Sequence, residues 1–289
     1  ALALATAILE LGGFLSPLSA PVLRAALADP SPLVRIAALR ALEQLPIENR
    51  WLAGEPLLSD PLLAVRAEAG RVLAPTPRAY LEPEQAGALD AAVADYVATQ
   101  DYTAERPESR VNLGNLYLRL GDAGRAGSYY REAIRRDPTF APAYLNLAEL
   151  YRNLGGEAEA RAALEAGLAR QPDAADLHHA LGLLLTRAGA TQQALAELAR
   201  ASELAPEAAR YAYVQGIALN SAGQTADALR VLEAAWQRHP VDRDLLLALA
   251  TINRDAGDRE AALRWSERLL ERNPADREAA ALQQELLQQ

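Results

Sequence analysis

Residues 107–140 read PESRVNLGNLYLRLGDAGRAGSYYREAIRRDPTF, and their spacing returns down the chain. Pro138, Pro172, Pro206, Pro240 and Pro274 recur with a period of 34, as do Gly121, Gly155, Gly189, Gly223 and Gly257, and Ala126, Ala160, Ala194, Ala228 and Ala262. Three residue types that keep one period through five copies mark a stack of like supersecondary units. Each position has a physical task. The glycine ends a first helix, where a left-handed residue costs a glycine little. Gly114, Ala148, Gly182, Gly216 and Ala250 are small, which suits a point where the two helices of a hairpin touch. Ala126 and its equivalents serve the same contact from the second helix. The proline stops that helix. One hairpin cannot bury its apolar face alone, so neighbours must stack on it.

The repeat length and the order Leu113-Gly114, Tyr117, Gly121, Ala126, Tyr130, Ala133, Pro138 resemble the tetratricopeptide repeat (TPR) over residues 107–276. The resemblance implies five helical hairpins wound into a right-handed all-α solenoid. Residues 277–289 read as a final amphipathic helix, whose Gln283-Gln284-Glu285 and Gln288-Gln289 suit a solvent-facing cap.

Residues 1–75 keep a different period, one of 31. Asp29-Pro30 returns as Asp60-Pro61, Val34-Arg35 as Val65-Arg66, and Ala38 and Leu42 as Ala69 and Leu73, always at that interval. An Asp-Pro, then Val-Arg, then an Ala/Leu-rich helix resembles the HEAT repeat. The proline is expected in the first turn of its helix, and the arginine is expected to bridge to the aspartate of a neighbouring repeat. One further period upstream, Ala7 and Leu11 fall under Ala38 and Leu42, so residues 1–11 read as the second helix of a halved repeat. That reading expects the natural protein to continue upstream, as does a chain that opens on Ala instead of Met. A signal peptide is the rival reading, against which stand the missing basic region and Glu10. Residues 76–106 join the arrays. Pro75, Pro77 and Pro83 mark a linker. Gly87–Thr99 reads as one helix of a degenerate TPR, with Ala92 and Tyr96 standing one TPR period before Ala126 and Tyr130.

Composition narrows the chemistry. The 289 residues carry a net charge of −9, no Cys, no Met and no Lys, so all 29 basic residues are Arg. A disulfide frame, a thiol nucleophile, Cys-ligated zinc, a covalent c-type haem site, a Walker lysine and a Schiff base are thereby excluded from this chain. The acidic balance argues against nucleic acid as a partner, and no apolar run is long enough to span a membrane. His178 and His179 are neighbours on a helix and point about 100° apart, so they cannot chelate as an i, i+4 pair would. His239 precedes Pro240 at a repeat end. No known catalytic or metal motif is present, so the chain reads as non-catalytic, with no metal and no cofactor of its own.

Binding remains. The TPR resemblance implies that positions 2, 5, 6, 9, 12 and 13 of each unit line a concave groove. They supply Asn112, Asn115 and Arg119; then Asn146, Glu149, Arg152 and Asn153; then His179, Leu183 and Arg187; then Tyr213, Asn220 and Ser221; then Arg254 and Asp255. An Asn amide donates and accepts together, so it can read the backbone of an extended peptide without demanding a sequence. Asn112 and Asn146 resemble two rungs of the asparagine ladder of peptide-binding TPRs, and the ladder stops at Ala180 and Val214. Asn115 and Asn146 also match the two Asn of the co-chaperone carboxylate clamp, but Val111, Asp176 and Ala180 stand where that clamp needs cations. The expected function is therefore a scaffold that holds a partner protein or peptide in the TPR groove.

A HEAT array followed directly by TPRs, with phrases such as ARYAYVQGIALNSAG (209–223), resembles the C-terminal half of bacterial multihaem cytochrome c proteins. That resemblance implies export to the periplasm or cell surface, with haem in an upstream domain and a role beside electron transfer. A cytoplasmic adaptor, the regulatory arm of an enzyme, and self-association through exposed repeat ends are the alternatives.

Overall fold

The computed structural model describes residues 1–288. They form seventeen α-helices and no strand, an all-α solenoid of helical hairpins, in two compact units, Ala1–Ala143 and Tyr144–Gln289. Among the described residues no helix is long and apolar enough to cross a membrane.

The first unit begins with α1 (Leu2–Leu11), α2 (Ala20–Leu27), α3 (Pro32–Leu42), α4 (Ile47–Gly54) and α5 (Leu63–Leu73). The shorter period sets α3 and α5 side by side, and Val34, Ala38 and Leu42 share one core with Val65, Ala69 and Leu73. α1 packs on α3 but not in the expected register. Ala5 and Ile8 are buried, whereas Ala7 is exposed and Leu11 only half-buried. The reason is that α3 is covered by helices on both flanks, while α1 is covered by α3 on one flank only. The two prolines of the motif also sit differently from expectation: Pro30 and Pro61 lie ahead of their helices. The aspartates before them take the backbone instead, Asp29 accepting from the Ser31 N–H at 2.8 Å and Asp60 from that of Leu62 at 2.9 Å. The arginines bridge forward, Arg35 to Asp60 and Arg66 to Asp95, each at 2.9 Å.

α6 (Pro83–Tyr102) follows and is longer than residues 87–99. Glu82 and Gln85 close a capping box at its start, and Pro83 is preorganised for the first helical position. No further proline then stands before Thr103. α5 and α6 touch backbone to backbone: a Cβ on Gly70 would lie 2.4 Å from the Ala92 carbonyl carbon.

The five hairpins of the longer period are α7 (Pro107–Arg119) with α8 (Ala123–Arg136), α9 (Ala141–Asn153) with α10 (Glu157–Leu168), α11 (Ala175–Arg187) with α12 (Thr191–Leu204), α13 (Ala209–Ser221) with α14 (Thr225–Arg238), and α15 (Arg243–Asp255) with α16 (Arg259–Arg272). Every helix starts one full period after its counterpart. The glycines that end the first helices hold φ between 73° and 82°, a conformation that penalises any Cβ. Asp122 and Asp258 cap the helices that follow, accepting from the N–H of Arg125 and Ala261 at 2.9 Å. In the second unit α17 (Arg277–Gln288) seals the last hairpin. It buries Ala279, Leu282 and Leu286 in one core with Trp265 and Leu269. Arg243 ties it to α15 through Asp276 and Glu278, both at 2.7 Å. Of the expected cap, Gln289 lies outside the described residues.

The α5–α6 contact gives a direct test. Gly70→Ala forces two backbones apart and is expected to destabilise the chain by ~2 kcal/mol, as overpacking does. Gly124→Ala, in the first turn of α8 with its nearest neighbour at 3.5 Å, is expected to be neutral or to stabilise by up to about 1 kcal/mol. Urea unfolding midpoints of the two variants measure the difference.

Candidate functional site

A first helix packs positions 4, 7 and 8 of its repeat into the stack. The strip left over meets solvent, and its chemistry changes along the second unit. On α9, Asn146 is half-buried and its amide has no partner among the described residues. Arg152 donates to both oxygens of Glu149, through Nε at 2.8 Å, and to Asn153 Oδ1 at 2.7 Å. Hydrogen bonds from Arg152 hold the Glu149 carboxyl below the usual carboxylate range. This cluster is neutral and satisfied internally.

On α11 the structure corrects the expectation for His179. The ring is only 6% exposed and packs on Tyr211, with ring centres 4.7 Å apart. Its Nδ1 is buried without a partner. Burial, and after it the charge of Arg210, pushes its pKa down to about 4. His179 is thus a neutral core group instead of a groove ligand, because its position in the unit points at the aromatic residue that begins α13. Its neighbour His178 is also engaged, Nδ1 with Glu197 at 2.6 Å and Nε2 with the Pro172 carbonyl at 2.8 Å. Arg187, at the end of α11, is exposed and makes no hydrogen bond or ion pair among the described residues.

Between α11, α12 and α13 lies a cavity of about 300 Å³. Leu183 and Thr186 form one wall, Tyr213, Val214 and Ile217 the other, and Leu195 the floor. Ser221 lies at its edge, while the Asn220 Oδ1 accepts from the Thr225 hydroxyl at 2.9 Å and keeps its Nδ2 free to donate. Arg210, one turn before Tyr213, lies over the Tyr211 ring at 5.1 Å and makes no ion pair among the described residues. Farther along, Arg254 is spent on Asp255 at 2.8 Å and on Glu285 at 3.6 Å. The structure therefore gathers Leu183, Tyr213 and Ser221 of the sequence candidates at one cavity, with Arg187 beside it. Sequence reasoning missed Thr186, Val214 and Ile217. The signal was present, since Val214 and Ile217 stand where the second repeat has Asn146 and Glu149.

In the first unit Asn112, Asn115 and Arg119 lie on α7, and each has a partner. Asn112 Nδ2 donates to Gln100 Oε1 at 3.0 Å, Asn115 Oδ1 accepts from the Tyr130 hydroxyl at 2.7 Å, and Arg119 pairs with Glu43. These three residues border a second, polar cavity of about 340 Å³.

Two family models, both described as tetratricopeptide repeat, match the sequence: one over residues 117–184 and again over 219–286, the other over 84–139. Together they cover more than half of the chain. No curated protein matches it. Among solved structures, pilF of Pseudomonas aeruginosa is 20% identical with a TM-score of 0.52, over 66% of this chain and 85% of its own. A MamA protein is 21% identical with a TM-score of 0.50, over 59% and 93%. YrrB, a TPR protein with an unusual peptide-binding site, is 23% identical with a TM-score of 0.49, over 65% and 97%. At these identities the likeness is one of fold.

His179 gives a pH prediction. Its folded pKa, about 4, is below the ordinary 6.5, so the unfolded chain takes the proton first. Stability is then expected to fall as pH drops below 6.5 and to stop responding to this group below about 4. Its ring resonances in NMR should keep their neutral positions down to about pH 5, and a titration midpoint near 6.5 would contradict the burial.

Proposed function

We propose that this chain, which belongs to the tetratricopeptide-repeat family, is a non-catalytic scaffold that holds a partner protein by an extended segment laid across α11 and α13. The observation that carries this reading is the cavity between Leu183, Tyr213 and Ile217. Its walls are apolar, it opens where the repeat leaves first-helix positions uncovered, and it is large enough for one aliphatic or aromatic side chain. Burying such a side chain contributes roughly 1.5–3 kcal/mol. The surroundings select the rest of the segment. Arg187 and Arg210 make no ion pair among the described residues, and no carboxylate lines the cavity. An apolar residue flanked by Asp or Glu is the complementary sequence. Asn220 Nδ2 and the Ser221 hydroxyl offer hydrogen bonds to the segment's backbone, while Thr186, whose hydroxyl donates to the Gly182 carbonyl at 2.9 Å, can only accept.

We read the helices of residues 1–75 as HEAT-like, a reading supported by the forward bridges Arg35–Asp60 and Arg66–Asp95.

Selection from a random peptide library on the intact chain tests the proposal. Selected peptides are expected to share one large apolar residue with acidic neighbours. Ile217→Asp should weaken them at least 30-fold in calorimetric titration while the melting temperature holds. Peptides without that pattern, or affinity unmoved by Ile217→Asp, would sink the assignment. Arg187→Glu should weaken the same peptides and reduce the preference for acidic flanks.

A further inference from the structure

The polar cavity of the first unit is built from four helices. α3 brings Arg40, α5 brings Glu68 and Arg71, α6 brings Tyr96, and α7 brings Asn115 and Arg119. Not all of these groups are available to a ligand. Arg71 is spent: it donates to both oxygens of Glu43 at 2.9 and 3.0 Å and to Glu68 at 2.7 Å. Arg40 gives only its Nε, to Glu68 at 2.8 Å, and its two terminal nitrogens remain free. Arg119 gives Nη1 to Glu43 and keeps its other donors. Burial alone would raise the Glu43 carboxyl, but the hydrogen bonds and charge of Arg71 and Arg119 hold it below the usual carboxylate range. Three guanidinium groups therefore face two carboxylates, which leaves one positive charge at the cavity.

The uncharged groups point the same way. Tyr96 is only 7% exposed, yet its hydroxyl borders the cavity and makes no hydrogen bond among the described residues. Burial raises its pKa, so the hydroxyl keeps its proton and is a donor. Asn115 accepts from the Tyr130 hydroxyl through its oxygen, and both Nδ2 donors remain free.

We propose that this cavity binds one carboxylate, held by the free nitrogens of Arg40 and Arg119 and by the Tyr96 hydroxyl and the Asn115 amide. One excess charge matches a carboxylate monoanion, whereas a phosphate dianion would leave net negative charge among Glu43 and Glu68. Arg–carboxylate pairs are also among the stronger charge-assisted hydrogen bonds. Neither Arg40 nor Arg119 stands at a basic position of the co-chaperone clamp, and the site owes nothing to the apolar cavity of the second unit. The carboxylate can come from the C-terminus of a peptide or from a free small acid.

NMR titration of the intact chain tests this with three probes: N-acetyl-diglycine, its C-terminal amide, and acetate. N-acetyl-diglycine is expected to shift the Arg40 and Arg119 Nε resonances and the Asn115 Nδ2 resonance saturably, and the amide is expected to leave them in place. Acetate within threefold of the peptide acid identifies any small carboxylate as ligand; acetate tenfold weaker identifies a peptide C-terminus. Arg40→Gln should weaken binding at least tenfold. Tyr96→Phe removes a hydroxyl that bonds nothing in the protein, so it should weaken binding severalfold at an unchanged melting temperature, and it decides the matter alone if Arg40→Gln fails to fold. No saturable shift with either acid, equal binding of the amide, or unchanged affinity in Tyr96→Phe would overturn the proposal.

Discussion

Where the two helices of the first, third and fourth hairpins cross, a glycine on the first helix meets a bulky residue on the second, and this contact sets the geometry of those repeats. A Cβ on Gly114 would stand 2.3 Å from the Tyr130 ring, one on Gly182 2.7 Å from Leu198, and one on Gly216 2.6 Å from Leu232. Tyr130, Leu198 and Leu232 are completely buried as a result. Close packing of this kind leaves little room for alternative registers, because a methylene more or less is felt throughout the neighbourhood. It lets the first helix sit deep against its partner and leaves a strip of positions on the helix uncovered, in which His179 is an exception because Tyr211 covers it. The binding chemistry is therefore written in those positions, while the scaffold beneath them stays constant.

The two cavities show how different that chemistry becomes on one scaffold. Position 9 carries Glu149 in the second repeat, Leu183 in the third and Ile217 in the fourth. The first of these is neutralised by Arg152, and the other two wall an apolar cavity. In the first unit the exposed strip of α7 meets helices of a different period, and ion pairs take the place of apolar walls. The pairs Arg40–Glu68 and Arg71–Glu43 cross between α3 and α5 at 2.8 and 2.9 Å, so the charged lining of the polar cavity is also the link between those helices. Partly buried networks of this kind gain from mutual hydrogen bonding, and each member left unpaired is costly.

Much of the fold was legible in the sequence because it rests on residues that act locally. The glycines with positive φ, the prolines after the second helices and the small residues at the crossings announce themselves one at a time. The forward bridge from Arg35 to Asp60 was legible for the same reason, as a short motif that repeats. What escaped depends on neighbours. Ala7 is exposed and Ala38 buried although they share a register position, since only α3 has a helix on either flank. His179 looked like a groove residue by its number, but the Tyr211 ring covers it. The apolar cavity was half visible, in the change from Asn146 and Glu149 to Val214 and Ile217. The polar cavity was invisible, because Arg40 and Arg119 are distant in sequence, belong to repeats of different period, and reach one space only through packing.

In the proposed complex a partner's segment lies across α11 and α13 with one apolar side chain between Leu183, Tyr213 and Ile217. Photocrosslinking tests it most directly, with p-benzoylphenylalanine placed at Ile217 and, separately, at the exposed Arg230 of α14, each irradiated with a peptide selected on the intact chain. A covalent adduct is expected at Ile217, formed through the apolar residue of the peptide, and none at Arg230. An adduct at Arg230, or peptide binding that leaves Ile217 unlabelled, would contradict it.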